Sequence, residues 1–326
     1  MGKMNMREAI IEALREEMHR DPNVILFGED IGKFGGVFGA TQGLYEEFGD
    51  RRIFDTPIAE KTIIGAALGM AITGMRPVPE LQFGDFVGLA FDEIYNKLGK
   101  WKWMHGGDMQ VPVTVRLPIG IAGGSGPEHS QSPQALFVSA PGLHIAVPSN
   151  AADAKGMLKT SIRENNPVLF FEHKVLYTQR GEVPDGEHLV PLGKGNICRK
   201  GADVTIIATA TLVGTSLEAA GALAKEGIDV EVIDPRWLKP LDEELILDSI
   251  AKTGRVLMVH EDAKTGGTGA EIAAVIAEKG LFDLRAPIRR LTGPDVPIAQ
   301  SLHLEQFYRP TQADIAEEVR ALVKFR

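Results

Sequence analysis

Short, unbroken apolar runs alternate along the chain with stretches whose apolar residues recur every three or four positions. The runs Val24 to Phe27, Val78 to Phe83, Val111 to Leu117, Ile145 to Pro148 and Val168 to Phe171 lack the alternation of a half-exposed strand. They predict strands covered on both faces. Between them, Lys61 to Thr73, Phe86 to Met104, Pro133 to Ser139 and Ala151 to Glu164 carry helical patterns. That is the rhythm of βαβ units around a mostly parallel sheet. Met1 to Asp21, with Ile10, Ile11, Leu14 and Met18 on one face, reads as an amphipathic helix and not as a signal peptide.

The pattern lapses from Thr178 to Ala202, where Gln179 to Gly186 and Gly193-Lys194-Gly195 make a turn-rich stretch. We place a first α/β domain over residues 1–185, a linker over 186–202 and a second α/β domain over 203–326. In the second, strands at Val204 to Thr209, Val230 to Ile233, Arg255 to His260 and Ile288 to Leu291 alternate with helices at Leu212 to Lys225, Asp242 to Ala251 and Ala270 to Lys279. A last helix, Gln312 to Lys324, closes it. The expected class is α/β, with two three-layer domains and mostly parallel sheets.

Composition narrows the partners more than the fold. With 326 residues, 44% apolar and 24% charged, the chain can build two real cores. Its single cysteine, Cys198, excludes an intrachain disulfide framework and a cysteine-clustered zinc site, and fits a reducing, cytoplasmic compartment. No segment reaches the roughly 20 apolar residues of a membrane helix. A formal charge of −9 argues against nucleic acid and suits a basic protein partner.

Candidate chemistry concentrates at a few sites. In Phe54-Asp55-Thr56-Pro57-Ile58-Ala59-Glu60, Thr56 is a suitable N-cap, Pro57 suits a first helical position, and the small-residue run behind them lets backbones approach. Glu60 is thereby delivered to a helix start, where the dipole favours its charge and apolar walls oppose it. The loop Ala122 to Pro133 presents His129 just after a parallel strand, where α/β proteins place their chemistry. Gln82-Phe83-Gly84-Asp85-Phe86 ends a buried strand with an amide able to orient a polar edge and an aromatic able to stack on a planar ring. Gly266 to Glu271 lacks the lysine and spacing of a phosphate loop, and Gly32 to Gly39, after the Leu26 to Asp30 strand end, is a loop at a site. The remaining histidines have no metal-ligand spacing.

Four segments, "FDTPIAEKTIIGAALGMAITGMRPVPELQFGDFVGLAFDEI", "GSGPEHSQSPQALF", "APGLHIAVPSNAADAKGMLKTSIRENNPVLFFEHK" and "EVIDPRWLKPLD", occur in this order. Together they resemble the beta subunit of the thiamine-diphosphate-dependent, decarboxylating component of 2-oxo acid dehydrogenase complexes, of pyruvate, branched-chain 2-oxo acid or acetoin type. The resemblance covers nearly the whole chain and implies a pyrimidine-binding transketolase-like domain followed by a smaller transketolase C-terminal-like domain. It implies that Glu60 hydrogen-bonds the cofactor's aminopyrimidine at N1′, with Ile58, Gln82, Phe86 and Glu29 on the cofactor side. His129 matches a loop histidine that meets the acyl group and the lipoyl arm. A monovalent cation, K⁺, would sit among Val113, Ser161, Ile162, Glu164 and Asn166.

The family's diphosphate and Mg²⁺ signature, Gly-Asp-Gly followed by Asn-Asn, is missing, since Asn165-Asn166 lies in another context. Mg²⁺ needs hard oxygen ligands, so the resemblance implies that an alpha subunit supplies them within a heterotetramer of two alpha and two beta chains. The lipoyl domain and subunit-binding domain of a dihydrolipoyl acyltransferase would be further partners. The competing readings are a split transketolase-type ketol transferase, which would need convergent basic residues, and a non-catalytic assembly subunit. The wording "HSQSP" and "ELQFGDF" leans toward a branched-chain or acetoin substrate.

Overall fold

In the computed structural model, which describes residues 2–325, the unbroken apolar runs become buried strands of two separate sheets. Met1 and Arg326, the outer ends of the expected first helix and second domain, lie outside the described residues. The chain divides into two units: one runs up to Gly120 and includes Phe137–Leu192, and the other joins Ile121–Leu136 to the chain from Gly193 onward.

The first unit contains β1 (Gly2–Asn5), α1 (Met6–Arg20), β2 (Val24–Gly28), α2 (Leu44–Phe48), β3 (Ile53–Asp55), α3 (Glu60–Ile72) and β4 (Arg76–Glu80). It continues with α4 (Gly99–Met104), β5 (Thr114–Ile119), the short α5 (Ala135–Val138) at its edge, β6 (His144–Ala146), α6 (Ala151–Arg163), β7 (Val168–His173) and β8 (Arg180–Val183). Six parallel strands run in the order β3-β2-β4-β5-β7-β6. Every residue of β2, β5 and β7 is buried, the polar Thr114, Arg116, Glu172 and His173 included. β1 and β8 form an antiparallel ribbon. α1 starts at Met6 because Asn5 and Glu8 close a capping box: Asn5 Oδ1 accepts from Glu8 N at 2.8 Å and Glu8 Oε2 from Asn5 N at 2.7 Å.

The expected helix from Phe86 to Met104 is broken. Gly84–Ala90 is a 3₁₀ segment, Glu93–Leu98 is π-helical, and only Gly99–Met104 is α. At Gly99 the backbone comes so close to its neighbours that a Cβ would sit 2.8 Å from Pro141 O. The expected helix from Pro133 to Ser139 shrinks to α5.

The second unit holds β9 (Asn196–Arg199), β10 (Val204–Ala208), α7 (Thr211–Ala224), β11 (Val230–Asp234), β12 (Trp237–Lys239), α8 (Glu243–Thr253), β13 (Val256–Ala263), α9 (Thr268–Lys279), β14 (Arg289–Gly293), α10 (Leu302–Glu305) and α11 (Gln312–Lys324). Its sheet order is β14-β13-β10-β11-β9, parallel except for β9. Residues 186–202, expected as a linker, thus contain an edge strand. Alternating residues of β10 face opposite layers: Val204 and Ile206 pack with Leu212, Leu223, Val319 and Leu322, whereas Ile207 packs with Ile246, Ile250, Ile272 and Ile276. Among the described residues no helix is long and apolar enough to cross a membrane.

Candidate active site

Three adjacent strands of the first unit converge on the predicted acids. Gly28, at the end of β2, pairs with Asp55 of β3 on one side and Glu80 of β4 on the other. The segments that follow these three strand ends carry Glu29, Ile58 with Glu60, and Gln82. Chemistry at the carboxyl ends of parallel strands is the general arrangement of open α/β sheets. Gly28 is required there, because a Cβ would collide with Glu80 O of the neighbouring strand.

The route to Glu60 differs from the expected cap. Thr56 N donates to Gly28 O at 2.9 Å, which prolongs the β2–β3 pairing and keeps Thr56 and Pro57 out of the helix. The helix begins at Glu60 itself, after Ala59, which makes no side-chain cap. Thr56 Oγ1 is buried and, among the described residues, has no hydrogen-bond partner. Glu60 is 6% exposed in the first turn of α3, while Ile58, two residues earlier, is 80% exposed. Gln82 and Phe86 are half-buried, and the Phe86 ring lies edge-on to Phe83 at 6.1 Å between centroids.

Glu29 is 5% exposed, and among the described residues its Oε1 has no hydrogen-bond partner. Burial pushes its pKa up to about 7, and the charges of Glu60, Asp30 and Glu80 add to the rise. With its pKa near 7, Glu29 holds its proton for part of the time at neutral pH and could hydrogen-bond to a polar ring. Ile58, Glu60, Gln82 and Phe86, on the segments after these strand ends, are of the apolar, acidic, amide and aromatic types that such a ring would take. The residues present fit an aminopyrimidine.

Sequence reasoning missed the cluster behind Glu29. Arg116 Nε and Nη2 donate to Glu172 Oε1 and Oε2 at 2.7 and 2.8 Å, Nη1 donates to Glu80 Oε2 at 2.5 Å, and Tyr177 donates its hydroxyl to Glu172 Oε2 at 2.7 Å. Burial opposes the Arg116 charge, but Glu172 and Glu80 more than reverse that and raise its pKa. Burial raises the pKa of Glu80, as does Glu172, against the pull of Arg116. Burial likewise pushes the Tyr177 hydroxyl up, reinforced by Glu172. The available signal was a charge interrupting each apolar run: Glu80 within Val78 to Phe83, Arg116 within Val111 to Leu117, and Glu172 directly after Val168 to Phe171.

His129 belongs to the second unit. It is half-buried in a turn, with its N–H toward Gly126 O at 3.5 Å. The cation candidates gather at the end of α6, where the helix dipole favours positive charge. Arg76 already approaches there: its Nη1 donates to Ile162 O at 2.9 Å and Glu164 O at 3.0 Å. Val113 O accepts from Val168 N, Ser161 O from Glu164 N, and Asn166 Oδ1 from Lys102 Nζ. Among the described residues no His, Cys, Asp and Glu cluster could hold a metal ion.

The two units with their sheets and strand-end acids define a transketolase-type protein. Family profiles agree: residues 2–179 match the transketolase pyrimidine-binding domain and residues 193–315 the transketolase C-terminal domain. A solved split-gene transketolase, described as an inactive beta4 tetramer, is similar with a TM-score of 0.81 at 27% identity, covering 99% of each chain. Closer in sequence are the 2-oxoisovalerate dehydrogenase subunit beta of Bacillus subtilis (44% identical over all of both chains) and the acetoin:2,6-dichlorophenolindophenol oxidoreductase subunit beta of the same organism (45%, 94% of both). The pyruvate dehydrogenase E1 component subunit beta of Staphylococcus epidermidis is 43% identical over all of both chains. The chain belongs to the family of beta subunits of 2-oxo acid dehydrogenase E1 components.

Proposed function

We propose that this chain is the beta half of a thiamine-diphosphate-dependent enzyme that decarboxylates a 2-oxo acid and passes the acyl group to a lipoyl disulfide. The observation that carries the reading is the pair of buried acids beyond neighbouring strand ends, Glu60 in a first helical turn and Glu29 with its pKa pushed up to about 7 and, among the described residues, no hydrogen-bond partner for Oε1. When bound, thiamine diphosphate supplies the electron sink for decarboxylation. Glu60 holds and exchanges a proton at pyrimidine N1′, and protonated Glu29 donates a hydrogen bond on the same side. Ile58, Gln82 and Phe86 orient the ring. His129 delivers a proton to the departing lipoyl sulfur during acyl release.

Activity requires an alpha chain in a heterotetramer of two alpha and two beta chains, because this sequence lacks the Gly-Asp-Gly segment that would hold Mg²⁺ and the diphosphate. The second unit offers an acidic platform to the subunit-binding domain of a lipoyl acyltransferase, and its lipoyl domain is the acyl acceptor. A cytoplasmic location suits the single free cysteine. K⁺ would bind at the end of α6, with Val113, Ser161, Ile162, Glu164 and Asn166 as ligands and two of their carbonyls shared with Arg76; a melting point unchanged between KCl and choline chloride would remove it. Relatives named for pyruvate, 2-oxoisovalerate and acetoin match about equally well, so overall similarity does not select the substrate.

The test is co-expression with an alpha-type chain and a decarboxylation assay across these substrates with a dye acceptor. Turnover should require both chains and added thiamine diphosphate. Turnover by this chain alone, or none on any 2-oxo acid in the pair, would refute the reading.

A further inference from the structure

The loop that carries His129 is shaped by two carboxylates of the second unit. Glu261 lies on β13, and its single oxygen Oε1 accepts from Ile121 N at 2.9 Å and from Ser132 Oγ at 3.0 Å. Those two donors are the two ends of the loop. A second carboxylate, Glu305 at the end of α10, accepts from Gly124 N at 2.5 Å. Gly124 has φ +76°, and a Cβ there would stand 2.9 Å from Gln300 O, so the backbone reaches Glu305 only because the residue is glycine. Within the loop, Ser125 Oγ donates to Ala122 O at 2.8 Å and Gln131 Nε2 to Pro127 O at 3.0 Å.

Packing alone does not hold this loop in place. Between it and the Gly293–Ile298 segment lies a cavity of about 480 Å³, lined in part by Ile121, Ser130, Glu261 and Tyr308. Ser130 is fully buried and, among the described residues, its hydroxyl has no partner. A segment that spans a cavity has few van der Waals contacts beneath it. Directed bonds at its rim therefore weigh more in fixing its position, and hydrogen bonds to a charged acceptor are the strongest of these.

We propose that Glu261 is a positioning residue: it staples the ends of the 121–132 loop and, with Glu305 on Gly124, fixes where His129 is presented for acyl transfer. The inference rests on the reading of His129 given above. It assigns the second unit a part in the reaction that docking alone does not require. Glu261 moves no proton and touches no substrate; it acts through the loop.

The experiment uses the complex reconstituted with its alpha chain and a lipoyl domain, with Glu261→Ala, Glu261→Gln and Ser132→Ala. Two quantities are read: amide hydrogen exchange across 121–132, and the ratio of lipoyl-dependent to dye-linked turnover. Loss of two hydrogen bonds to a carboxylate should speed exchange in Glu261→Ala by about tenfold or more and lower the turnover ratio by about fivefold or more. Glu261→Gln keeps an oxygen for both donors and should restore both readouts to within about threefold of wild type. Should Glu261→Ala fail to fold, Ser132→Ala, which removes one bond and leaves the carboxylate, should move both readouts in the same direction by about two- to threefold. Exchange that stays at the wild-type rate in Glu261→Ala, or in Ser132→Ala if that is the only soluble variant, overturns the inference. So does faster exchange with an unchanged turnover ratio, provided His129→Ala lowers that ratio. An unchanged ratio in His129→Ala as well would instead refute the role of His129, and exchange would still decide whether Glu261 holds the loop.

Discussion

Glu29 and Glu60 place two buried carboxylates beyond adjacent strand ends, and the charge of Glu60 is one reason that Glu29 keeps its proton to about pH 7. The strands that precede both acids pair at Gly28, and the charge of Glu80 adds to the rise of the Glu29 pKa.

The raised pKa of Glu29 has a consequence for stability. Folding lifts the Glu29 pKa from an ordinary 4.5 to about 7, so the native state holds the proton that the unfolded chain releases. The contribution is fully present below about pH 4.5 and is lost as pH rises through about 7, with a ceiling of about 3 kcal/mol. Glu29→Gln should therefore gain stability over wild type as pH goes from 5 to 8. Urea midpoints at the two values check this, and a difference that does not grow with pH would contradict it.

Arg116 balances two carboxylates in the interior, where it is 1% exposed. Arg116→Met would strand Glu80 and Glu172 without a counter-charge, and breaking such buried pairs typically costs about 3–5 kcal/mol. Lysine cannot reproduce the two-pronged bond to Glu172, so Arg116→Lys should also destabilise. Denaturant unfolding of both variants measures the effect, and a loss below about 1 kcal/mol would show that the cluster is not a structural anchor.

Gly28→Ala is the smallest change that should disturb the acids without touching them. Its methyl group would push against Glu80 O, and overpacking of this kind costs about 1–3 kcal/mol. The thermal midpoint should fall, and thiamine diphosphate should bind more weakly to the reconstituted complex. Wild-type affinity in a destabilised variant would place the cofactor away from this strand end.

His129→Ala should separate the two half-reactions. Loss of a general acid lowers turnover by about 10²- to 10⁴-fold, and here the loss should fall on lipoyl-dependent acyl transfer more than on dye-linked turnover. Stopped-flow and steady-state assays with each acceptor measure the split. Equal losses with both acceptors would move His129 to the decarboxylation step.

Much of this was legible in the sequence because continuous apolar runs constrain both strand identity and burial. β2, β5 and β7 follow directly from them. Glu60, Gln82, Phe86 and His129 stood out because each is polar or aromatic at the end of such a run or on the loop after it. The start of α3 was less legible: the N-cap preference of Thr56 lost to a backbone bond with Gly28, a tertiary contact that local propensity does not contain. The π-helical turn at Glu93–Leu98 likewise has no signal in the apolar spacing. The Arg116 cluster joins three strands far apart in sequence, and each charge alone looked like an interruption. The closure of the His129 loop by Glu261 spans still more chain and has no local signature.

In the complex reconstituted with its alpha chain, thiamine-diphosphate-dependent decarboxylation of a 2-oxo acid should drop by about 10²- to 10⁴-fold in Glu60→Gln, which keeps the shape and removes the exchangeable proton. Activity above about a tenth of wild type would contradict the assignment of this chain as half of the active site.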